Sequence, residues 1–141
     1  MSDDYRHAHP RIGTAVWIIH EGKVLLGKRE KGSQVGTWCV PGGAVDMFET
    51  PTDGAAREVF EETGLVVGRP RLMAVMNDVD AERGTHWVTL QFVAAYEGGM
   101  PRDAEGEIGN WAWFAGESLP EPLFVPTRNF VKNGYNPHNF N

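Results

Sequence analysis

Only one cysteine, Cys39, occurs in 141 residues. No disulfide can form within the chain, and a reducing, cytoplasmic setting is the default expectation. No apolar run approaches the ~20 residues of a membrane span, because charge or glycine breaks each candidate. The opening MSDDYRHAHPRIG lacks the basic-then-apolar form of a secretory leader. Basic charge is also scarce: 13 Lys and Arg stand against 19 Asp and Glu, a formal net charge of −6. Long nucleic acid demands a basic footprint, so it is not an expected partner. A small anionic ligand remains open if metal ions and a local Lys/Arg cluster receive it. Nothing repeats at a fixed period, and no segment is low in complexity.

The apolar fraction of 41% supplies a core, and the length fits one domain. Residues 1–10 read as a flexible arm and 11–141 as that domain. RIGTAVWIIH (Arg11–His20) is rich in β-branched and aromatic residues and reads as a strand. EGK is a turn, and Val24–Glu30 is the return strand. After the loop KGSQVG, TWCVPGG is a short strand that ends in a Pro-Gly-Gly break. A helix follows. Thr50 can cap it, Pro51 suits its first position, Asp53 places a carboxylate in the first turn, and Gly64 can end it in a left-handed conformation. Arg71–Val79 and Thr85–Glu97 read as strands around DAERG, and Asn110–Ala115 as a short strand. PTRNFVKNG reads as a second helix, with Pro126 near its start and Gly134 just past its end. Strands with one helix in the middle and another at the end predict a mixed sheet between helices.

The stretch GGAVDMFETPTDGAAREVFEETGL, Gly42–Leu65, concentrates glutamate. At ~100° per residue, Ala55, Ala56, Val59 and Phe60 share one side of the helix. Glu58, Glu61 and Glu62 share roughly the opposite side, flanked by Arg57. Like charges at helical spacing repel, at about 0.2–0.5 kcal/mol per pair. A solvated helix face is the ordinary explanation. The alternative is a site for a hard cation, since Mg²⁺ and Mn²⁺ favour carboxylate oxygens.

The spacing runs Gly43, five residues, Glu49, seven residues, Arg57-Glu58-Val59, one residue, Glu61-Glu62, one residue, Gly64-Leu65. This resembles a complete Nudix box, and the order of elements resembles a whole Nudix domain over roughly residues 10–135. The resemblance implies an α/β (α+β) fold, an α/β/α sandwich around a mixed β-sheet, with the box as loop–helix–loop. It implies a hydrolase of nucleoside diphosphates linked to another group. By matched position, Glu58, Glu61 and Glu62 would be metal ligands together with the Gly42 carbonyl. Mg²⁺ would be the cofactor, with Mn²⁺ as a substitute. Arg57 would hold a glutamate, Glu49 would support the box from its loop, and Gly43 and Gly64 would be structural. Glu58 is the first candidate for the base, Glu61 the second, and a downstream glutamate the third. Dimers are common in that family, so a homodimer is one assembly the resemblance allows.

Marks of several subgroups are missing. No proline stands some fifteen residues after the box, as in ADP-ribose hydrolases, and no tyrosine lies between Leu65 and Ala95, as in dinucleoside polyphosphate hydrolases. The coenzyme A motif is absent, and Glu62 fills a place that GDP-mannose mannosyl hydrolases leave empty. GTWCVPGGAVDMFET and LPEPLFVPTRNF are similar to the MutT-like branch, although Gly43-Ala44 replaces its usual Gly-His. The expected reaction is Mg²⁺-dependent conversion of a nucleoside triphosphate, ordinary or oxidised, to monophosphate and pyrophosphate. Alternatives are another diphosphate (nucleotide sugar, ADP-ribose, prenyl diphosphate or RNA 5′ end) or a non-catalytic nucleotide-binding regulator. The filled box argues against the regulator.

Other candidates lie outside the box. Lys28 and Arg29 could reach phosphates or a base edge, or simply mark an exposed strand end. Glu107, with Glu105 as alternative, could complete the metal site or serve as base, or belong to a solvated loop. Asn129 could read a base through its amide, or be a helix-surface residue. Trp38, Trp87 and Phe124 could stack on a base, although aromatics in strands more often fill a core. Trp111 and Trp113 alternate along a strand, so one of the two is expected to face the core. His9, His20 and His86 show no ligand spacing. Cys39 is expected to be a small buried residue beside the site, not a nucleophile, since no base is evident for it.

Overall fold

The computed structural model describes residues 9–104 and 106–140. Most of the expected arm, residues 1–8, and Glu105 therefore lie outside the described residues.

Strand β1 (Arg11–His20) is the centre of the sheet. It pairs with β2 (Lys23–Arg29) across the Glu21-Gly22 turn, and both turn residues take left-handed φ values. On its other side it runs parallel to β7 (Thr85–Gly98), from Arg11 opposite Trp87 to Ile19 opposite Ala95. The remaining strands pair antiparallel. β3 (Trp38–Cys39) and β8 (Ile108–Ala115) join β2; β4 (Gly42–Ala44) joins β1; β5 (Val66–Val67) and β6 (Arg71–Asp80) join β7. One eight-stranded mixed sheet results.

Residues Ala15 to Ile18 are all buried, because β1 is covered on both faces. Ala15 and Trp17 point to a cluster with Leu26, Val40, Met76 and Phe130. Val16 and Ile18 point to the opposite cluster, with Leu25, Ala55, Val59, Leu65 and Phe92. Phe130 belongs to helix α2 (Val125–Lys132), and Ala55 and Val59 to helix α1 (Pro51–Thr63). The two helices thus cover opposite faces of the sheet, the expected sandwich. Buried Gln91 pins α2 to the sheet: its Oε1 accepts from Trp17 Nε1 at 2.8 Å, and its Nε2 donates to the Pro126 carbonyl at 3.3 Å. Among the described residues no helix is long and apolar enough to cross a membrane.

Three local expectations need correction, and one strand was not anticipated. Gly42 and Gly43 do not break the chain but form β4, because the β1 backbone supplies hydrogen-bond partners to a segment of low strand propensity. β5 has only two residues, too short to show a period. Trp111 and Trp113 both pack on the second cluster, since residues two apart in a strand point the same way. On α1, Phe60 is exposed and Glu62 is buried, so the packing face is rotated toward Ala55, Val59, Glu62 and Thr63.

Candidate functional site

Helix α1 begins and ends as its sequence dictates. Thr50 Oγ1 accepts from the Asp53 N–H at 3.1 Å, Pro51 opens the first turn, and Gly64 closes the last at φ 75°. Burial of Ala55 and Val59 sets the helix rotation, which turns Glu58 and Glu62 toward β4.

Two glycines make that approach feasible. A Cβ on Gly43 would lie 2.6 Å from the Glu58 carboxyl carbon, and one on Gly42 would lie 2.0 Å from the Thr14 carbonyl oxygen. Glu62 accepts the Gly42 N–H at 2.8 Å. Glu58 is thus seated on Gly43, and Glu62 on Gly42.

Arg57 organises the acidic groups around one guanidinium. Its Nε donates to Glu49 Oε2 at 3.0 Å and its Nη2 to Glu49 Oε1 at 2.7 Å. Nη1 donates to Glu58 Oε1 at 3.1 Å and to Glu61 Oε2 at 3.0 Å. Nη2 also reaches the Ala44 carbonyl at 3.2 Å and lies 3.3 Å from Asp46 Oδ2. The paired guanidinium, helped by the Asp46 N–H, lowers the Glu49 pKa from 4.5 to about 2. The same hydrogen bonds, first among them those to Glu49, push the Arg57 pKa further up. The loop that delivers Glu49 is tight: Phe48, immediately before it, is fully exposed with φ 70°.

One guanidinium among Asp46, Glu49, Glu58 and Glu61 leaves an excess of negative charge. The donors are hard carboxylate oxygens, which suit Mg²⁺ or Mn²⁺. Among the described residues no three side chains converge as a closed metal cage. Glu58 and Glu61 meet at Arg57 Nη1, and Glu62 turns to Gly42. The donor chemistry suits a hydrated hard cation, although Glu58, Glu61 and Glu62 are not gathered around one point.

A cavity of about 350 Å³ adjoins the acidic face through Glu62, within the range of small-ligand sites, while Arg57, Glu58 and Glu61 are not in its wall. Gly42, Gly43 and Glu62 line it, as do Asp78, Trp87 and Phe124. Arg29 lines it as well, with its guanidinium 4.3 Å from the Phe124 ring centre and its Nε donating to the Ser33 carbonyl at 2.8 Å. Lys28 is exposed on β2 and is not part of the wall. Glu107 is exposed and lines the cavity, and its carbonyl accepts the Glu30 N–H at 2.8 Å. Trp87 lies against Gly13 with the Arg11 guanidinium 4.5 Å over its ring. Trp38 packs edge-on against Phe114 beside the first core cluster instead. Cys39 is buried in the wall, and burial pushes its thiol up to about 12, so it is no nucleophile.

Asn129 does not line the cavity. Its Nδ2 donates to Asp78 Oδ1 at 2.7 Å, and Thr89 Oγ1 donates to Asp78 Oδ2 at 2.6 Å. Asp78 escaped the sequence reading. Its signal was a carboxylate in phase with Ala74 and Met76, on the core-facing side of a strand.

Comparison with known proteins agrees with this geometry. The family profile described as NUDIX domain matches residues 9–133. The chain is 34% identical over 112 residues to 8-oxo-dGDP phosphatase NUDT18 of Mus musculus, covering 77% of this chain and 33% of that protein. It thus spans about a third of that relative's length. It is 31% identical over 126 residues to ADP-ribose pyrophosphatase of Methanocaldococcus jannaschii, covering 89% of this chain and 68% of that one. The crystal structure of a MutT NUDIX hydrolase from Burkholderia pseudomallei superposes with a TM-score of 0.84 at 35% identity, covering 90% and 99% of the two chains.

Proposed function

Because the chain belongs to the Nudix family, its NUDIX domain spanning residues 9–133, we propose that it hydrolyses a nucleoside triphosphate, ordinary or oxidised, to monophosphate and pyrophosphate. The observation that carries this reading is the shared cavity. It joins Gly42, Gly43 and Glu62 of the acidic face to the aromatic walls of Trp87 and Phe124. Such a wall offers polar groups for phosphates and aromatic surface for a base.

A diphosphate bridge resists attack because its oxygens are negative. Mg²⁺ held by Glu58, Glu61, Glu62 and the Gly42 carbonyl would supply charge neutralisation and Lewis acidity there. The chain's own groups do the rest. Glu58, seated on Gly43, accepts the proton of the attacking water; Glu61 and Glu107 are the next candidates. Arg57 holds Glu58 and Glu61 in place through Nη1. Arg29 faces the cavity with a positive charge that suits phosphate oxygens. Asn129 acts on the base only through Asp78, and Lys28 acts at most from the rim. A cytoplasmic location accords with the lone, buried cysteine.

A second reading is another nucleoside diphosphate derivative, favoured by the likeness to an ADP-ribose pyrophosphatase over 89% of the chain. Phosphate release at fixed Mg²⁺ tests both. The panel holds ordinary and oxidised nucleoside triphosphates with pyrophosphatase, and ADP-ribose, a nucleotide sugar and a dinucleoside polyphosphate with phosphatase. Preference for a triphosphate supports the first reading. Preference for ADP-ribose moves the assignment to the second. No turnover of any member with Mg²⁺ or Mn²⁺ would overturn both.

A further inference from the structure

We propose that Asp78 is the specificity-determining residue of the cavity, selecting a base edge with two adjacent N–H donors, as guanine presents at N1 and its exocyclic amine. The proposal rests on the nucleotide reading above and names the base class for it.

Asp78 is 6% exposed. Its strand phase is that of Ala74 and Met76, where a carboxylate is costly unless hydrogen-bonded or paired. Its two partners, Asn129 and Thr89, are neutral donors, one to each oxygen. Among the described residues no Lys, Arg or His pairs with it. A carboxylate accepts about four hydrogen bonds, so each Asp78 oxygen keeps capacity for one more. The two existing bonds come from different elements, α2 and β7, and fix the orientation of the group before any ligand arrives. A rigid, desolvated acceptor pair of this kind is a strict reader.

The cavity wall carries the argument from Asp78 to a base. Asp78 shares that wall with Trp87 and Phe124, which suit an aromatic ring, and with Glu62 and Gly42 of the acidic face. An ionised carboxylate can only accept. Adenine and cytosine place a ring-nitrogen acceptor beside their amino group, and thymine and uracil flank one N–H with two carbonyls. Each would set lone pair against lone pair. Guanine alone among these offers two neighbouring donors. Oxidation at C8 leaves that edge intact, so this contact serves ordinary and oxidised guanine alike.

Hypoxanthine keeps N1–H and lacks the amine, which makes it the discriminating probe. The experiment compares GMP with IMP in calorimetric binding, and dGTP with dITP in kcat/KM, for wild type and Asp78→Asn. The wild type should favour the guanine member by at least about tenfold, a threshold well below the roughly 10⁴–10⁵-fold by which a site built around a donor can reject its absence. In Asp78→Asn the ratio should fall toward unity, because the amide offers only one acceptor atom. Equal treatment of GMP and IMP by the wild type, or failure to bind either, would overturn the proposal even if the variant did not fold. So would an undiminished ratio in a folded variant. Turnover of triphosphates without guanine preference would sink the Asp78 assignment and leave the hydrolase reading intact. Guanine-selective binding lost in the variant, without triphosphate turnover, would do the reverse.

Discussion

Arg57 meets Glu49 fork to fork, Nε on one carboxylate oxygen at 3.0 Å and Nη2 on the other at 2.7 Å. This pairing ties α1 to the loop before it and fixes the plane of the guanidinium. The remaining nitrogen, Nη1, is thereby aimed between Glu58 and Glu61. One rigid side chain thus sets the spacing of the acidic face, although it does not line the cavity.

Lysine keeps the charge but cannot reproduce a planar fork or serve three carboxylates at once. Arg57→Lys is therefore expected to fold, and to lose roughly 10–100-fold in kcat/KM, the range typical of residues that orient metal ligands. Steady-state kinetics beside circular dichroism checks this. Wild-type kinetics in the variant would show that charge alone suffices.

The same pairing carries a pH signature. The folded pKa of Glu49 is about 2, below its ordinary 4.5. The folded state therefore binds fewer protons than the unfolded state between those values. The stability contributed is present in full above about pH 4.5 and is lost as pH falls toward 2. Glu49→Gln should be less stable than wild type at neutral pH, and the gap should close across that window. Urea unfolding at a series of pH values reads it. A gap that stays constant down to pH 2 would remove the ionised pair as its source.

Much of this was legible because it is local. The caps Thr50 and Gly64, the strand Arg11–His20 and the glutamate spacing each depend on near neighbours. The unread parts depend on distant ones. Asp78 owes its setting to Thr89 and Asn129, 11 and 51 residues away, and no pattern around Asp78 announces either. β4 exists because β1 lends it a backbone ladder, while its own glycines argue for a break. Helix phase failed at Phe60 because a roughly 100° step places residues on a face without saying how wide the covered stripe is. Glu62, which the same phase put on the solvent side, is instead buried against Gly42. Trp111 and Trp113 were misassigned for a simpler reason: period two places them together.

Phe48 holds φ 70° with its ring fully exposed, so it bears the left-handed penalty and makes no packing gain. That conformation costs a non-glycine residue roughly 1–2 kcal/mol. Glycine relieves it but has more entropy to lose on folding. Phe48→Gly is thus expected to stabilise the fold by up to about 1 kcal/mol, seen as a higher urea midpoint at unchanged slope. Destabilisation would mean the ring has a partner.

Glu61 is the most exposed of the three box glutamates in the proposed metal set, and Arg57 is its hydrogen-bond partner. Glu61→Gln keeps the shape and removes the charge. Stability should barely move, while kcat should fall by at least the roughly 100-fold that bounds losses from residues that merely orient metal ligands. Mn²⁺ titration followed by electron paramagnetic resonance should show weaker binding. Full activity with unchanged Mn²⁺ affinity would take Glu61 out of the metal set.

Gly42 and Gly43 are adjacent, yet alanine should fail differently at each. At Gly42 the added Cβ meets backbone, the Thr14 carbonyl oxygen at 2.0 Å. Relief requires β4 to move off β1, which also breaks the Gly42 N–H bond to Glu62. Overpacking commonly costs 1–3 kcal/mol, and a backbone obstacle belongs at or above the top of that range, about 3 kcal/mol. At Gly43 the obstacle is the Glu58 carboxylate, the end of a flexible side chain. Glu58 can swing aside by changing rotamer, and the fold survives. But the swing takes it from Arg57 Nη1 and from its seat beside the cavity. Gly42→Ala should therefore appear chiefly as a lowered melting temperature, and Gly43→Ala chiefly as a lowered kcat in a protein of near-normal stability. Thermal unfolding and initial rates on the two variants separate these outcomes. Equal stability loss in both would mean that Glu58 is as immovable as the backbone. Normal kcat in Gly43→Ala would mean that its seat on Gly43 is not where Glu58 works.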